Sequence, residues 1–212
     1  MSDGMGLRER KKQQTASRIF HTAIALFAER GFDAVSVQEI ADAAEVSKMT
    51  VFNYFGSKED LVFAPVEEHF GDAFRAVRER RSGESAVDAV RRQFLEMVEN
   101  RDPSIGLHAD PISHQLRRLV VETPALMERA FLAMQKGARE MAALLGEETG
   151  DLMLGTVAAA MLSSARNALV EEHHRRQAEG EDIERIVADA PERVRAAFGL
   201  VETGLRGYAV KE

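Results

Sequence analysis

The chain has no cysteine and no tryptophan, only 2 tyrosines and 5 prolines among 212 residues. Without cysteine there are no disulfides, no thiolate metal ligands and no cysteine nucleophile. No apolar run reaches the roughly 18–20 residues that span a bilayer. The longest candidate, Met153 to Leu162, ends at Ser163, Ser164 and Arg166. The stretch from Met1 to Gln14 is polar and charged, with no apolar core of a secretory signal, so a cytoplasmic protein with no membrane partner is expected. Strand signals are also scarce: there is no alternating apolar–polar run bounded by turn residues and no Asn-Gly or Asp-Gly hairpin.

What is present is helical spacing. Ile19, Ala23, Leu26 and Phe27 share one face, and Gly31 follows where a helix would stop. Ser36–Glu39, Ser57–Asp60 and Ser85–Asp88 read as helix-start boxes, and Thr123-Pro124 places a cap before a first-turn proline. These signals predict helices over about 8–30, 37–44, 48–54, 58–81, 85–100, 112–121, 124–145, 151–178 and 191–208, the last beginning at Ala190-Pro191. The charge is uneven. The whole chain carries -7, yet Leu7 to Lys58 holds 8 basic and 6 acidic residues, so a weakly basic head precedes an acidic body. The expected fold is all-α, with a three-helix head over 1–57 and a larger helical domain over 58–212.

Residues 31–61 carry the functional information. Two short helices separated by a turn at Ala44 to Ser47, between longer helices, form a helix-turn-helix pattern. Val37, Ile40, Ala41, Val51 and Phe55 supply an inward face, which leaves Lys48, Met49, Thr50, Asn53 and Tyr54 outward. Lysine can donate to guanine acceptors, asparagine can pair with an adenine edge, and methionine can touch a thymine methyl. Thr50, Tyr54 and Lys58 can reach phosphate oxygens. Ser47 caps the second helix and directs its positive end at the phosphate chain. The tip Leu7-Arg8-Glu9-Arg10-Lys11-Lys12 can serve as a basic arm.

This segment resembles the DNA-binding domain of the TetR family of bacterial transcriptional regulators. The residues that carry the likeness are Phe27, Gly31-Phe32, Ser36-Val37, Ile40-Ala41, Ala44, Val46-Ser47, Thr50, Tyr54-Phe55 and Lys58-Glu59-Asp60-Leu61. They cover roughly 15–65. Three positions depart from the family's pattern: Glu45 stands where glycine is usual in the turn, Met49 replaces a glycine, and Phe52 replaces a tyrosine that contacts phosphate. The resemblance implies a homodimer that binds a palindromic double-stranded operator, most often as a repressor, and is released by a small molecule. The DNA-binding candidates are Ser36, Ser47, Lys48, Met49, Thr50, Asn53, Tyr54 and Lys58.

The region after residue 60 has no nucleotide-binding glycine pattern, nucleophile elbow or zinc-protease motif. Glu171-Glu172-His173-His174 holds a single Glu-x-x-His, whereas a helical di-iron site needs two plus further carboxylates. No catalytic residue, metal site or cofactor is therefore expected. The resemblance assigns this region to dimerisation, through helices near 151–178 and 191–208, and to an apolar or amphipathic effector. Candidate effector contacts are Phe74, Phe94, Met97, His114, Phe131, Met134, Met161, Arg166 and Asn167. In this reading the effector favours a state with the helix near 58–81 displaced and the operator spacing lost. A ligand-independent architectural DNA binder and a helical metal-dependent enzyme are the alternatives.

Overall fold

The computed structural model describes residues 6–63, 67–108 and 111–204. Among these every regular element is a helix. Ten α-helices run in chain order: α1 (Leu7–Arg30), α2 (Val37–Ala43), α3 (Lys48–Phe55), α4 (Asp60–Phe63), α5 (Asp72–Arg78), α6 (Ala86–Glu99), α7 (Pro111–Glu122), α8 (Pro124–Thr149), α9 (Leu152–Ala178) and α10 (Ile183–Thr203). The chain forms an N-terminal helical cluster and a larger C-terminal helical part.

Two expectations about helices need correction. The long helix over 58–81 does not exist: α4 ends at Phe63, a 3-10 turn covers Glu67–Gly71, and α5 begins at Asp72. The sequence holds the reason. Pro65 has no amide hydrogen, and its ring disfavours helical backbone in the residue before it. Residues 64–66 themselves lie outside the described residues. The last helix errs the other way. It starts at Ile183, capped by the Asp182 side chain on the Glu184 amide, and Pro191 sits inside it. A proline there costs about 3 kcal/mol. The buried line Ile186, Ala190, Val194 and Phe198 runs through the site and offsets that cost. Residues 205–212, with Leu205 and Tyr208 of the expected dimer helix, lie outside the described residues.

The helices group into two compact units, but not with a single division after residue 57. The first unit is Met1–Glu67 with His114–Ala130; the second is Glu68–Ser113 with Phe131–Glu212. Residues 114–130 join the first because they complete its core. Leu119 and Leu126 are buried, Arg129 pairs with Asp60 at 2.6 Å, and its guanidinium lies 4.9 Å from the Phe63 ring centre. Within this unit a cleft of about 390 Å³ lies between the end of α1 and α7, lined by Phe27, Gly31, Phe32, Gln115, Arg118 and Glu122 among others.

The second unit is built around Phe94, Met97, Ile105, Leu107, Met141, Leu145, Leu162, Ile186, Val194 and Phe198. Its α9 is long and apolar enough, by length and composition, to cross a membrane, with an 18-residue stretch at mean hydropathy 1.2. The buried line of α9, Gly155, Ala159, Leu162, Leu169, His173 and Arg176, packs inside the unit.

Small residues let α8 and α9 approach closely. A Cβ at Gly155 would lie 2.5 Å from the Gly146 nitrogen and 2.7 Å from the Ala142 carbonyl oxygen, both rigid backbone. Gly155→Val should therefore lower stability by about 1–3 kcal/mol, the usual cost of overpacking. Urea denaturation followed by helical circular dichroism measures this. Gly199→Ala is the control, because a Cβ there meets nothing within 4 Å.

Candidate nucleic-acid interface

The interface is set by the way α1 ends and α2 begins. The Gly31 amide closes α1 on the Phe27 carbonyl at 2.8 Å, with a positive φ of 84° that glycine adopts without strain. The Phe27 and Phe32 rings then stack with centres 5.0 Å apart. Ser36 starts α2 as a full capping box. Its hydroxyl accepts from the Glu39 amide, and the Glu39 carboxylate accepts from the Ser36 amide at 2.8 Å. Glu39 also takes a hydrogen bond from Arg30 at 2.8 Å, which ties α2 to the end of α1. The Ser36 amide and hydroxyl, together with Arg30, hold the Glu39 carboxyl down at about 2.

The turn to α3 is short and internally bonded. Ala44 donates to the Ile40 carbonyl at 2.9 Å, and Val46 reaches back to Ala41 at 2.9 Å. Glu45 between them has φ 53°, the left-handed region that costs an ordinary residue about 1–2 kcal/mol. This explains why glycine is usual at that position. Ser47 then caps α3: its hydroxyl accepts from the Thr50 amide at 3.0 Å and lies 2.8 Å from the Thr50 hydroxyl. Val51 is buried and anchors the inner side of α3.

With Val51 inward, the outward stripe of α3 is Lys48, Met49, Phe52 and Asn53, all exposed. Ser47 and Ser36 are exposed at the two helix starts, while Thr50 and Tyr54 are half-buried on the flanks. Thus Phe52, 39% exposed, belongs to the outer face although it was not among the candidates. Its position one turn after Lys48 was the available signal. Lys58 is placed differently from the expected phosphate contact. Its ammonium donates to the Phe32 carbonyl at 2.5 Å and sits 4.3 Å from the Phe32 ring centre. It is a half-buried clamp within the head.

The candidate effector residues differ in burial and divide between the two units. Phe94 and Met97 are buried in the core of the second unit, and Phe74 packs against that core. Met161 is half-buried, Asn167 is exposed, and Phe131 and Met134 are exposed on α8. His114 is exposed and belongs to the first unit. Arg166 stands apart. Its side chain is only 14% exposed, its Nε is buried without a partner, and its nearest carboxylate, Asp72, is 3.8 Å away. Burial pushes its pKa down, and Asp72 only partly opposes this. Among the described residues no group of three or more His, Asp or Glu could hold a metal. In the Glu-x-x-His segment, His173 is a core group with Nδ1 2.8 Å from the Ile105 carbonyl oxygen.

Three helices with a capped, outward-facing third helix define a helix-turn-helix head, and such a head followed in the chain by a larger helical part defines a class of DNA-binding regulators. The pattern of bacterial regulatory proteins of the tetR family matches residues 19–64. Over 202 residues the chain is 31% identical to MftR of Mycobacterium tuberculosis, provisionally named as a mycofactocin biosynthesis transcriptional regulator, covering 92% of this chain and 93% of that one. It is 29% identical over 150 residues to the transcriptional regulator TcmR of Streptomyces glaucescens, covering 70% of this chain and 66% of TcmR. Among solved structures, NalD of Pseudomonas aeruginosa matches with a TM-score of 0.59 at 15% identity, covering 89% and 96% of the two chains. The SmeT–triclosan complex matches with 0.57 at 19%, covering 87% and 91%. The chain belongs to the tetR family and is a DNA-binding transcriptional regulator.

The strained turn makes a test of this geometry. Glu45→Gly should stabilise the head by about 1 kcal/mol, because it removes left-handed strain at the cost of some unfolded-chain entropy. Urea unfolding of the full chain measures it. An unchanged or lowered midpoint would show that the turn is not held as described.

Proposed function

We propose that the chain is a repressor that binds a palindromic operator as a homodimer and is released by a small apolar or amphipathic effector. The carrying observation is the outward stripe of α3. Its hydrogen-bonding groups, Lys48 and Asn53, stand exposed just after the Ser47 cap on a helix anchored by Val51. Such a helix fits the major groove, where base edges present distinct acceptors and donors. Phosphate contacts then fall to the exposed cap Ser47, to Ser36, and to the flanking Thr50 and Tyr54.

The dimer follows from the apolar surface of α9 and α10. Leu152, Met153, Leu154 and Val157 are 48–65% exposed at the start of α9, and Leu200 is 40% exposed on α10. A second copy of the same face would remove that surface from water. Two heads then read half-sites about one turn of DNA apart, which gives the operator its symmetry. KstR2 of Rhodococcus jostii, 26% identical over 107 residues, is named as a repressor and supports that direction of control.

Effector release is a population shift. The element to carry it is not a helix over 58–81, which is broken, but α8. Its first turns belong to the first unit and the remainder to the second. Arg166 is the polar group best suited to orient an effector, since its buried Nε lacks a hydrogen-bonding partner and its nearest carboxylate is 3.8 Å away.

Selection of binding sites from random duplex DNA should return a palindrome. Lys48→Ala and Asn53→Ala should each weaken that site about tenfold or more while changing non-specific binding little. Equal loss on specific and random DNA would overturn base reading by these two residues. Arg166→Met should leave the effector-free protein as stable or more stable, because it removes a poorly compensated buried charge. The same variant should blunt release by whichever compounds a screen on operator-bound protein finds. A clear drop in melting temperature would instead make Arg166 a structural group.

A further inference from the structure

Two of the four outward residues on α3 are large and apolar. Met49 is 68% exposed and Phe52 39% exposed, three residues apart on an eight-residue helix. Val51 shows that α3 had an inner face for apolar groups, and it is 1% exposed. Met49 and Phe52 are not on that face. They form the middle of the stripe, with Lys48 on one side and Asn53 on the other. The Lys48 ammonium lies 6.0 Å from the Phe52 ring centre, one helical turn on, so these two side chains stand together above the helix surface.

A base-reading face has little use for apolar side chains except at one chemical group. In the major groove the only apolar feature a base pair presents is the 5-methyl of thymine. Phe52 has no hydroxyl, so it has nothing to offer a phosphate oxygen.

Resting on the DNA-binding reading above, we propose that Met49 and Phe52 form an apolar strip that reads thymine 5-methyl groups within each half-site. Phe52 is the specificity-determining residue, and Lys48 beside it reads a purine edge next to that thymine. The half-site therefore contains at least one thymine whose methyl, and not only its hydrogen-bonding edge, contributes to recognition.

The experiment uses the full-length protein and the duplex returned by selection. Each thymine is replaced in turn by deoxyuridine, which keeps every hydrogen bond and removes only the methyl. Fluorescence anisotropy at fixed salt gives the affinities. Wild type should lose about fourfold at one or two positions, the loss expected when one apolar carbon is no longer buried. Phe52→Ala should bind the natural duplex more weakly and lose its discrimination between thymine and deoxyuridine at one of those positions. Met49→Ala does the same test at the most exposed residue of the strip, where folding is least at risk, and circular dichroism confirms both folds. Unchanged wild-type affinity for every deoxyuridine duplex overturns the proposal while leaving sequence-specific binding intact. So does an unaltered wild-type ratio in both variants. A wild type that selects no sequence at all overturns the base-reading function beneath it.

Discussion

One anchored side chain decides what α3 can do. Val51 is buried in the head, and the helix has only eight residues, so fixing that position fixes the direction of every other side chain on it. The turn before it leaves little slack. Two backbone hydrogen bonds tie Ala44 and Val46 to α2, and Ser47 ends the turn by capping α3. A helix of this length is marginal alone. Its orientation is therefore borrowed from α2 through the turn, and the turn tolerates a non-glycine residue at φ 53° to keep it. The same rigidity extends backward. Arg30 and the Ser36 box hold Glu39, and Lys58 closes the far side on the Phe32 carbonyl.

The second unit is held by a different kind of contact. Its apolar core is continuous, but its turns are fastened by arginine–carboxylate pairs. Arg176 joins Glu181 and Asp189 at 2.7 and 2.8 Å across the α9–α10 turn, and Arg101 joins Glu184 at 2.5 Å. Arg176 is largely removed from water, with a side chain 10% exposed, and its fork meets two carboxylates at once. Arg101 and Glu184 are about half exposed, a setting in which such pairs contribute little. The acidic excess of the body is thus partly used as partners for its many arginines. Arg166 is held more loosely, with a carboxylate at 3.8 Å that already serves His69 and Arg75.

Local rules made much of this readable. The Ser36, Ser57 and Ser85 starts, the stop at Gly31 and the inward set Val37, Ile40, Ala41 and Val51 all follow from spacing within one or two turns. What escaped depends on competition between local and distant terms. The helix expected over 58–81 ends at Phe63, ahead of a proline in the sequence, whereas Pro191 lies inside α10, because a buried line on both sides of it outweighs the lost hydrogen bond. The return of Leu119 and Leu126 to the first unit requires contacts across half the chain, and no window of sequence contains them. At the interface the expected outward set, Lys48, Met49, Thr50, Asn53 and Tyr54, left out Phe52, which is 39% exposed.

That shift changes what kind of recognition the helix offers. The expected outward set held Met49 as its one aliphatic group, and without Phe52 beside it that face would work chiefly through hydrogen bonds and phosphates. The stripe the backbone presents places exposed methionine and phenylalanine between one cation and one amide. Hydrogen-bonding groups at its edges fix register against purine acceptors, while the apolar centre gains only where a methyl lies beneath it. Such a surface discriminates by burial as well as by polarity. A cytosine opposite Phe52 loses the methyl contact, so that substitution in the half-site is penalised through lost burial.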